Sequence, residues 1–334
     1  MKRVAYSLAI AASVVASSTA FAADMALKAP PAPAAPPPSL FDVVVTTALM
    51  SDYNFRGISQ SNHKPSVQGG FEARYNWTPT FQSYVGVSGE SIDFPNNAAA
   101  EVDLYAGIRP TFDKLALDFG FWEYYYPGGN CYSTNVGPTT CDRSFGGATG
   151  APPSQVLAAA IGSTGNATKA NDSFWEVYAK ATYTVNDQWS LGVQEWYSPN
   201  VLNLGAWGWY STGNVTYTAP STWFQNGLGM YASADVGYWD LGTSDAFYGN
   251  TQYTSYLNWD VGFGWTWKVL TLDLRYYDTN LSKTQCDAFT SAQNASFALG
   301  NVTAQNPSGG ATNWCSAWFI AKLSASIDFN TNLK

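Results

Sequence analysis

The sequence contains little charge and no long hydrophobic run in its main part. Lys, Arg, Asp and Glu make up 12% of the 334 residues, against about 25% in ordinary soluble proteins. Only 16 residues are Lys or Arg against 24 Asp or Glu, so nucleic acid, which is bound through clustered basic residues, is not expected as a partner. Beyond the N-terminal segment no run of about 18 apolar residues occurs, which excludes a helical membrane protein.

The chain has one histidine, His63, and four cysteines. A zinc site needs several thiolate or imidazole ligands at suitable spacing, and the sequence has no second thiolate at short spacing near its one imidazole. Hydrolysis needs an activated nucleophile, and no serine motif accompanies His63. We therefore expect no metal site, no cofactor and no catalytic residues, and a protein that is not an enzyme.

Aromatic residues are abundant, at 16%, and they fall in segments of strict alternation. In WFIAKLSASIDF, residues 318–329, apolar side chains occupy every second position, and Lys322, Ser324, Ser326 and Asp328 lie between them. The segments 174–185 and 254–267 have the same two-faced pattern. Alternation with one apolar and one polar face is typical of strands in a transmembrane β-barrel.

The alternating segments predict an all-β fold, a single antiparallel transmembrane β-barrel of about twelve strands. The predicted strands lie near residues 42–56, 65–77, 81–91, 101–112, 115–125, 174–185, 188–197, 207–218, 227–239, 254–267, 269–278 and 315–329. Their connections alternate between short and long, as in outer-membrane barrels with short periplasmic turns and long external loops. An even strand count places both termini in the periplasm. A soluble β-sandwich or propeller is the alternative, but its turns would be more uniform in length.

The N-terminal region predicts export. Residues 1–22 combine Lys2 and Arg3 with an apolar stretch and a small-residue cleavage site, which is typical of a secretory signal peptide. Residues 23–40 are rich in Pro and Ala and predict an extended periplasmic linker. The barrel then occupies residues 41–334, with long external loops near 127–172 and 280–313.

Cys131 and Cys141 lie in the first of these loops, Cys286 and Cys315 bracket most of the second, and disulfides are allowed in an exported chain. Four cysteines have three connectivities. We expect local pairing, Cys131 with Cys141 and Cys286 with Cys315.

The inward face of the predicted barrel is polar and charged. Ten acidic residues occupy it, Asp52, Glu72, Glu90, Glu101, Asp103, Asp118, Glu176, Asp235, Asp260 and Asp273, against six basic ones, Arg56, Arg74, Arg109, Lys180, Arg275 and Lys322. All of them except Glu90 are our pore-lining candidates. One interpretation is a small water-filled pore with mild cation preference. The other is a network of salt bridges that fills the barrel and leaves a structural or adhesive protein with surface-exposed loops.

One stretch, SDYNFRGISQSNHKPSVQGGFEARYNW at residues 51–77, resembles the N-terminal signature of the TorF-type porin family. This family consists of conserved proteobacterial outer-membrane proteins of unknown function. The matching positions are Ser51, Asp52, Tyr53, Phe55, Arg56, Gly57, Ser59, Gln60, Pro65, Gln68, Gly69, Gly70 and Phe71, and EVDLYAGI at 101–108 resembles a second recurrent segment. The resemblance implies an outer-membrane barrel with a transport role and no settled substrate. The cysteine-bearing loops and the C-terminal NTNLK depart from it.

Within this stretch we expect strand one to continue to residue 56, with Tyr53 and Phe55 facing lipid and Asp52 and Arg56 facing the lumen. His63 is then a loop-tip residue whose substitution does little.

The sequence thus predicts a porin-like channel in a bacterial outer membrane for passive, weakly selective passage of small polar solutes or ions. The expected partners are outer-membrane lipid and lipopolysaccharide, the transported solutes or ions and the barrel-assembly machinery. Porin-like barrels often trimerise, which leaves a homotrimer open.

Overall fold

A computed structural model describes residues 39–130, 132–133, 167–303, 305–306 and 309–332 of the chain, and these residues form one closed antiparallel barrel of twelve strands. The strands are β1 Phe41–Met50, β2 Ser66–Thr78, β3 Phe81–Glu90, β4 Glu101–Phe112, β5 Leu115–Tyr125, β6 Phe174–Thr184, β7 Trp189–Ser198, β8 Gly208–Thr218, β9 Leu228–Leu241, β10 Tyr256–Trp267, β11 Leu270–Thr279 and β12 Trp318–Asp328. The fold predicted from alternation is confirmed.

Every strand pairs with its neighbours in sequence, and β12 returns to pair with β1. The closing register runs from Val44 opposite Asp328 to Met50 opposite Lys322. Closure leaves no unpaired sheet edge, which is the condition for placing strands in hydrocarbon. The described residues contain no helix with the length and hydropathy that a membrane crossing requires.

The connections alternate in length around the barrel. Two residues join β4 to β5, four join β6 to β7, and the β10–β11 turn uses Lys268 with a positive φ. The long connections lie at the opposite end. We call these the short-turn end and the external end, because short turns are periplasmic in outer-membrane barrels. β1 begins and β12 finishes at the short-turn end.

The outer surface of the barrel is apolar. Large hydrophobic side chains such as Val85, Val193, Val236 and Val261 are exposed near the middle of their strands. Aromatic side chains, among them Trp77, Trp189 and Trp267, are exposed near the short-turn end. An apolar band bordered by aromatic residues matches the hydrocarbon and interfacial layers of a membrane.

The remaining secondary structure lies in the connections and after β12. Helix α1, Lys283–Thr290, begins at a capping box formed by Ser282 and Gln285, and α2, Phe329–Asn332, follows β12. The described residues also contain four short 3-10 helices, Val201–Asn203, Ser221–Trp223, Ala246–Tyr248 and Leu299–Asn301. Three further pairs of two-residue strands are Asn54–Phe55 with Ile58–Ser59, Tyr132–Ser133 with Ala167–Thr168, and Ser296–Phe297 with Gly310–Ala311.

The predicted disulfide between Cys286 and Cys315 is present and links α1 to the connection just before β12. Cys131 and Cys141 lie outside the described residues, as do the signal peptide and nearly all of the linker.

One boundary prediction was wrong. Strand β1 stops at Met50 rather than at residue 56, and the connection to β2 spans residues 51–65. This connection, which we call the inward segment, folds into the lumen instead of extending the sheet. Tyr53 is therefore buried inside the barrel, and Phe55 packs on the interior aromatic cluster rather than on lipid.

The lipid-facing surface leads to a prediction of stability. Val85 is 58% exposed in the middle of β3, so Val85→Arg should lower the free energy of unfolding by about 2–4 kcal/mol, the cost of a cation near the bilayer centre. Phe319, 70% exposed near the external end of β12, is the control, and Phe319→Arg should cost about 0–1 kcal/mol. Urea unfolding of the barrel refolded into lipid vesicles measures both. Equal costs at the two positions would contradict this membrane placement.

Candidate functional site in the barrel lumen

The candidate site is the lumen, where the barrel brings the predicted charged residues together. Thirteen of the fifteen pore-lining candidates lie on inward positions of strands β2, β4–β6 and β9–β12. The other two, Asp52 and Arg56, lie on the inward segment. Whether any of them line a conducting path stays a prediction, but their contacts define three groups.

The first group ties β2 to β5 around Glu72. Arg109 donates to both oxygens of Glu72, at 2.8 and 3.0 Å, and its Nε donates to Asp118 at 3.2 Å. Arg74 Nε donates to Glu72 at 2.5 Å. Tyr84 covers the Arg109 guanidinium with its ring and donates its hydroxyl to Asp118 at 2.5 Å. Each charge in this group thus has a partner of opposite sign.

The second group lies on β9–β11 and centres on Arg275. Its Nη1 donates to Asp260 at 2.5 Å, and its Nε and Nη2 each donate to Asp273 at 3.0 Å. Nη2 also donates to Ser233 at 2.8 Å, and Tyr231 donates to Asp273 at 2.5 Å. This wall of the lumen is therefore held by one guanidinium and two carboxylates.

The inward segment supplies the third group. Asn54–Phe55 and Ile58–Ser59 pair as a hairpin whose two central residues, Arg56 and Gly57, both have positive φ, at 50° and 83°. Two positive φ values define a type I′ turn, whose twist suits a tight hairpin. A Cβ at Gly57 would also overlap Thr279 and Asn258 on the lumen wall, so glycine is needed for space as well as for conformation.

Arg56 anchors the tip of this hairpin to the far wall. Its Nη1 and Nη2 donate to the two oxygens of Glu176 at 2.9 and 2.6 Å, and the two side chains are 5% and 0% exposed. Tyr124 adds a third hydrogen bond to Glu176 at 3.1 Å, and Tyr256 donates to the Arg56 carbonyl at 2.9 Å. The guanidinium also lies over rings of Phe55, Trp196, Tyr210 and Trp239.

Asp52 organises the base of the inward segment. It is buried, accepts a hydrogen bond from Ser59 Oγ at 2.6 Å and lies 2.8 Å from both Ser61 Oγ and His63 Nδ1. The other ring nitrogen, His63 Nε2, lies 3.1 Å from the Asn313 carbonyl, and the ring stacks on Trp318. His63 therefore joins the inward segment to the final loop, which corrects its interpretation as a free loop-tip residue.

This arrangement does not have the geometry of a serine nucleophile with its base. Nε2, the nitrogen that would take a proton from a hydroxyl, faces a main-chain carbonyl, and Ser59 donates to Asp52 instead. Both ring nitrogens face acceptors, an arrangement that only the protonated imidazole satisfies. Partial burial lowers the pKa of His63, but hydrogen bonds to Asp52 and Asn313 outweigh it and raise the pKa above its ordinary 6.5.

The interior aromatic residues are the part of the site that the sequence analysis missed. Trp122, Trp196, Tyr210 and Trp239 all face inward and form one buried cluster in the external half of the barrel. The sequence analysis described the inward face as polar and charged and placed no aromatic residue there. The position of an aromatic residue along its strand was the available signal for an inward side chain. Tyr178, for example, lies on the same face of β6 as the inward residue Glu176.

The packing of the lumen differs along its length and around its wall. In the external half the inward segment and the aromatic cluster leave the inward side chains buried. Toward the short-turn end Gln82, Arg109, Thr111 and Asp118 on β3–β5 are buried as well. Polar side chains on the opposite wall are partly exposed, among them Lys180, Thr182, Asn214, Thr216, Lys322, Ser324 and Ser326. Among the described residues neither Lys180 nor Lys322 makes an ion pair.

A family model for a bacterial protein of unknown function, Gcw_chp, matches residues 34–145, about one third of the chain, which includes the inward segment and β1–β5. No curated protein matches the chain.

The chain is also similar to solved structures. The NanC porin shares 9% identity over 85% of this chain and 98% of its own, with a TM-score of 0.41. LpxR from Salmonella typhimurium shares 8% over 85% and 99%, with a TM-score of 0.38. A loop-deletion mutant of OmpT, an outer membrane protein of Vibrio cholerae, shares 12% over 86% and 98%, with a TM-score of 0.36.

A closed twelve-strand barrel with an apolar exterior and a polar interior defines a class, the bacterial outer-membrane β-barrel proteins. The chain is a protein of that class, located in the outer membrane.

The buried Arg56–Glu176 pair leads to a prediction of coupling. Arg56→Met leaves Glu176 buried without its cation, so we expect a loss of about 3–5 kcal/mol in the free energy of unfolding. Arg56→Met combined with Glu176→Met should cost clearly less than the sum of the two single changes. Urea unfolding in lipid vesicles measures the cycle. The control, Lys64→Met, removes an exposed ion pair with Asp93 and should cost about 0–1 kcal/mol. Additive losses at positions 56 and 176 would contradict the coupling of Arg56 and Glu176.

The raised pKa of His63 predicts a pH dependence. A pKa that is higher in the folded state contributes stability that is fully present below the unfolded value of 6.5 and is lost as pH rises through the folded value. The stability difference between the wild-type protein and His63→Gln should therefore be larger at pH 5.5 than at pH 9. Paired urea titrations at the two pH values check this, and a difference that stays constant would show that the imidazolium is not the bonded form.

Proposed function

We propose that the protein is a porin-like outer-membrane channel for passive, weakly selective passage of small polar solutes or ions, and that the inward segment closes it from the outside. The observation that carries the proposal is the uneven packing of the lumen. In its short-turn half one wall, formed by β6, β8 and β12, has partly exposed polar side chains, which is what a narrow water-filled path requires. The external half of the lumen is closed by the tip of one segment, held through Arg56 and Glu176.

The charge of the lumen supports a mild preference for cations. Glu90, Glu101, Asp103 and Asp235 have no ion pair among the described residues, against Lys180 and Lys322 on the basic side. The resemblance of residues 51–77 to TorF-type porins supports the same function, whereas the family model over residues 34–145 describes proteins of unknown function and adds no support for an activity. Small polar solutes or ions, lipopolysaccharide and the barrel-assembly machinery are the partners that this function requires, and a homotrimer remains part of the proposal.

The second candidate function is a non-conducting structural or adhesive barrel. The observation that favours it is the burial of the Arg56–Glu176 pair beneath four aromatic rings, which makes spontaneous release of the tip costly. In that case the external loops would carry the function and the lumen charges would only stabilise the barrel.

Removing the hairpin tip separates the two candidates. Asn54 and Ser59 pair in register, so residues 55–58 can be replaced by a two-glycine link that keeps Ser59, the donor to Asp52. In planar bilayers we expect low conductance from the wild-type protein and a rise of at least tenfold after this replacement. A reversal potential measured across a salt gradient should show cation preference.

The control for this experiment is Lys64→Ala, in the same segment but exposed and distant from the tip, which should leave conductance at the wild-type level. Folding of each variant is verified by the heat-dependent mobility of the barrel on gels. A folded tip-deleted barrel that still does not conduct would reject the channel in favour of the structural barrel, and clear anion preference would reject the charge argument.

A further inference from the structure

Three carboxylates meet at the external end of the β3–β4 hairpin, apart from the ion-pair groups of the lumen. Glu90 ends β3 and pairs in register with Glu101, the first residue of β4, and Asp103 is the next inward residue. The three residues are 3%, 2% and 4% exposed. They lie beneath Tyr53 of the inward segment and beside Tyr126, just past β5.

Their oxygens are spaced for a single cation. One carboxylate oxygen from each residue lies within 4.8 Å of the other two. This limit is about twice the 2.3–2.6 Å distance between Ca²⁺ and a carboxylate oxygen. One ion between the three side chains can therefore reach all three ligands.

The hydrogen bonds around the cluster leave two ligand atoms open. Tyr53 and Tyr126 donate to the two oxygens of Glu101, at 2.6 and 2.9 Å. Gln68 donates to Glu90 Oε1 at 2.7 Å, and Ser88 donates to Asp103 Oδ2 at 3.0 Å. The remaining oxygens, Glu90 Oε2 and Asp103 Oδ1, are buried and accept no hydrogen bond of ordinary geometry among the described residues, although the side chains of Trp122 and Glu90 both lie beside Asp103.

The three carboxylates also have no ion-pair partner among the described residues. No basic side chain in the described part of the chain forms an ion pair with Glu90, Glu101 or Asp103, in contrast to Glu72, Glu176 and Asp260. Lys322, on β12, is the basic residue whose charge acts on Glu90. Buried carboxylates that lack a cation repel one another and lose their hydration, so they either take up protons or bind a metal ion.

We propose that Glu90, Glu101 and Asp103 form a binding site for one calcium ion. All the donors are oxygens, which favours a hard cation over zinc or copper. Mg²⁺ usually keeps several of its waters and demands octahedral geometry, whereas Ca²⁺ accepts irregular sets of carboxylates. A buried and crowded site therefore favours Ca²⁺. Because Tyr53 donates to Glu101, the ion would also strengthen the attachment of the inward segment to the barrel wall.

This inference does not depend on conduction, and its test uses binding and stability alone. The mature chain is refolded in a zwitterionic detergent without lipopolysaccharide and stripped with EGTA. Tb³⁺ is the probe, since the hydroxyls of Tyr53 and Tyr126 bond to Glu101 and their rings can sensitise its luminescence. We expect saturable luminescence that Ca²⁺ displaces, and an unfolding temperature that Ca²⁺ raises.

The test variant is Glu90→Gln combined with Asp103→Asn, which keeps the shape of both side chains. It should bind Tb³⁺ at least tenfold more weakly and lose the stabilisation by Ca²⁺. Without metal it should unfold at the same or a higher temperature than the wild-type protein, because the repulsion is gone. Asp235→Asn is the matched control, a lumen carboxylate bonded to Thr212 on another wall, and should bind as the wild-type protein does.

Two results would overturn the proposal. One is a wild-type protein that neither binds Tb³⁺ nor gains stability from Ca²⁺, which would mean that protons neutralise the cluster. The other is equal Tb³⁺ affinity in the wild-type protein and in the double variant, which would place the ion elsewhere.

Discussion

The closure of the sheet is the constraint on which the rest of this structure depends. In hydrocarbon an unpaired main-chain group costs several kcal/mol, so β1 must find β12 across almost the whole length of the chain. Once the ring closes, the period of two along each strand sends alternate side chains to lipid and to lumen. Charged residues near the middle of a strand, such as Glu72 and Asp260, are then committed to the narrow interior. Glu123 and Glu195, toward the external ends of β5 and β7, lie on the outward face with Phe121 and Val193.

The lumen meets this constraint in different ways along its length. In the first two groups, guanidinium groups bind carboxylates on the same strand or on strands one or two places away, so the charge pairs stay within one wall. Toward the outside, the inward segment carries its own cation across the lumen to Glu176, and aromatic rings fill the space around it. Toward the short-turn end, polar side chains on β6, β8 and β12 remain partly exposed, whereas those on β3–β5 are buried.

The inward segment shows where reasoning from local pattern stops. Residues 51–56 alternate polar and aromatic side chains as a strand would, and the sequence analysis extended β1 through them. Nothing local shows that the chain leaves the sheet at Met50, because the partners that hold it inside, Glu176 and Tyr256, lie 120 and 200 residues away from Arg56. The one local signal was Arg56-Gly57, a two-residue turn with glycine between alternating residues.

The sequence by itself determined the strands, their number, the ends at which short and long connections lie, and the inward position of the charged residues. These features follow from alternation, which is a property of neighbouring residues. Only the tertiary structure decided which charges pair and that Tyr53 and Phe55 face the interior. It also decided that His63 bonds to Asp52, and that Glu90, Glu101 and Asp103 meet with no basic side chain paired to them in the described part of the chain. Such features depend on the distances across a closed lumen, and those are fixed when twelve strands close into one ring.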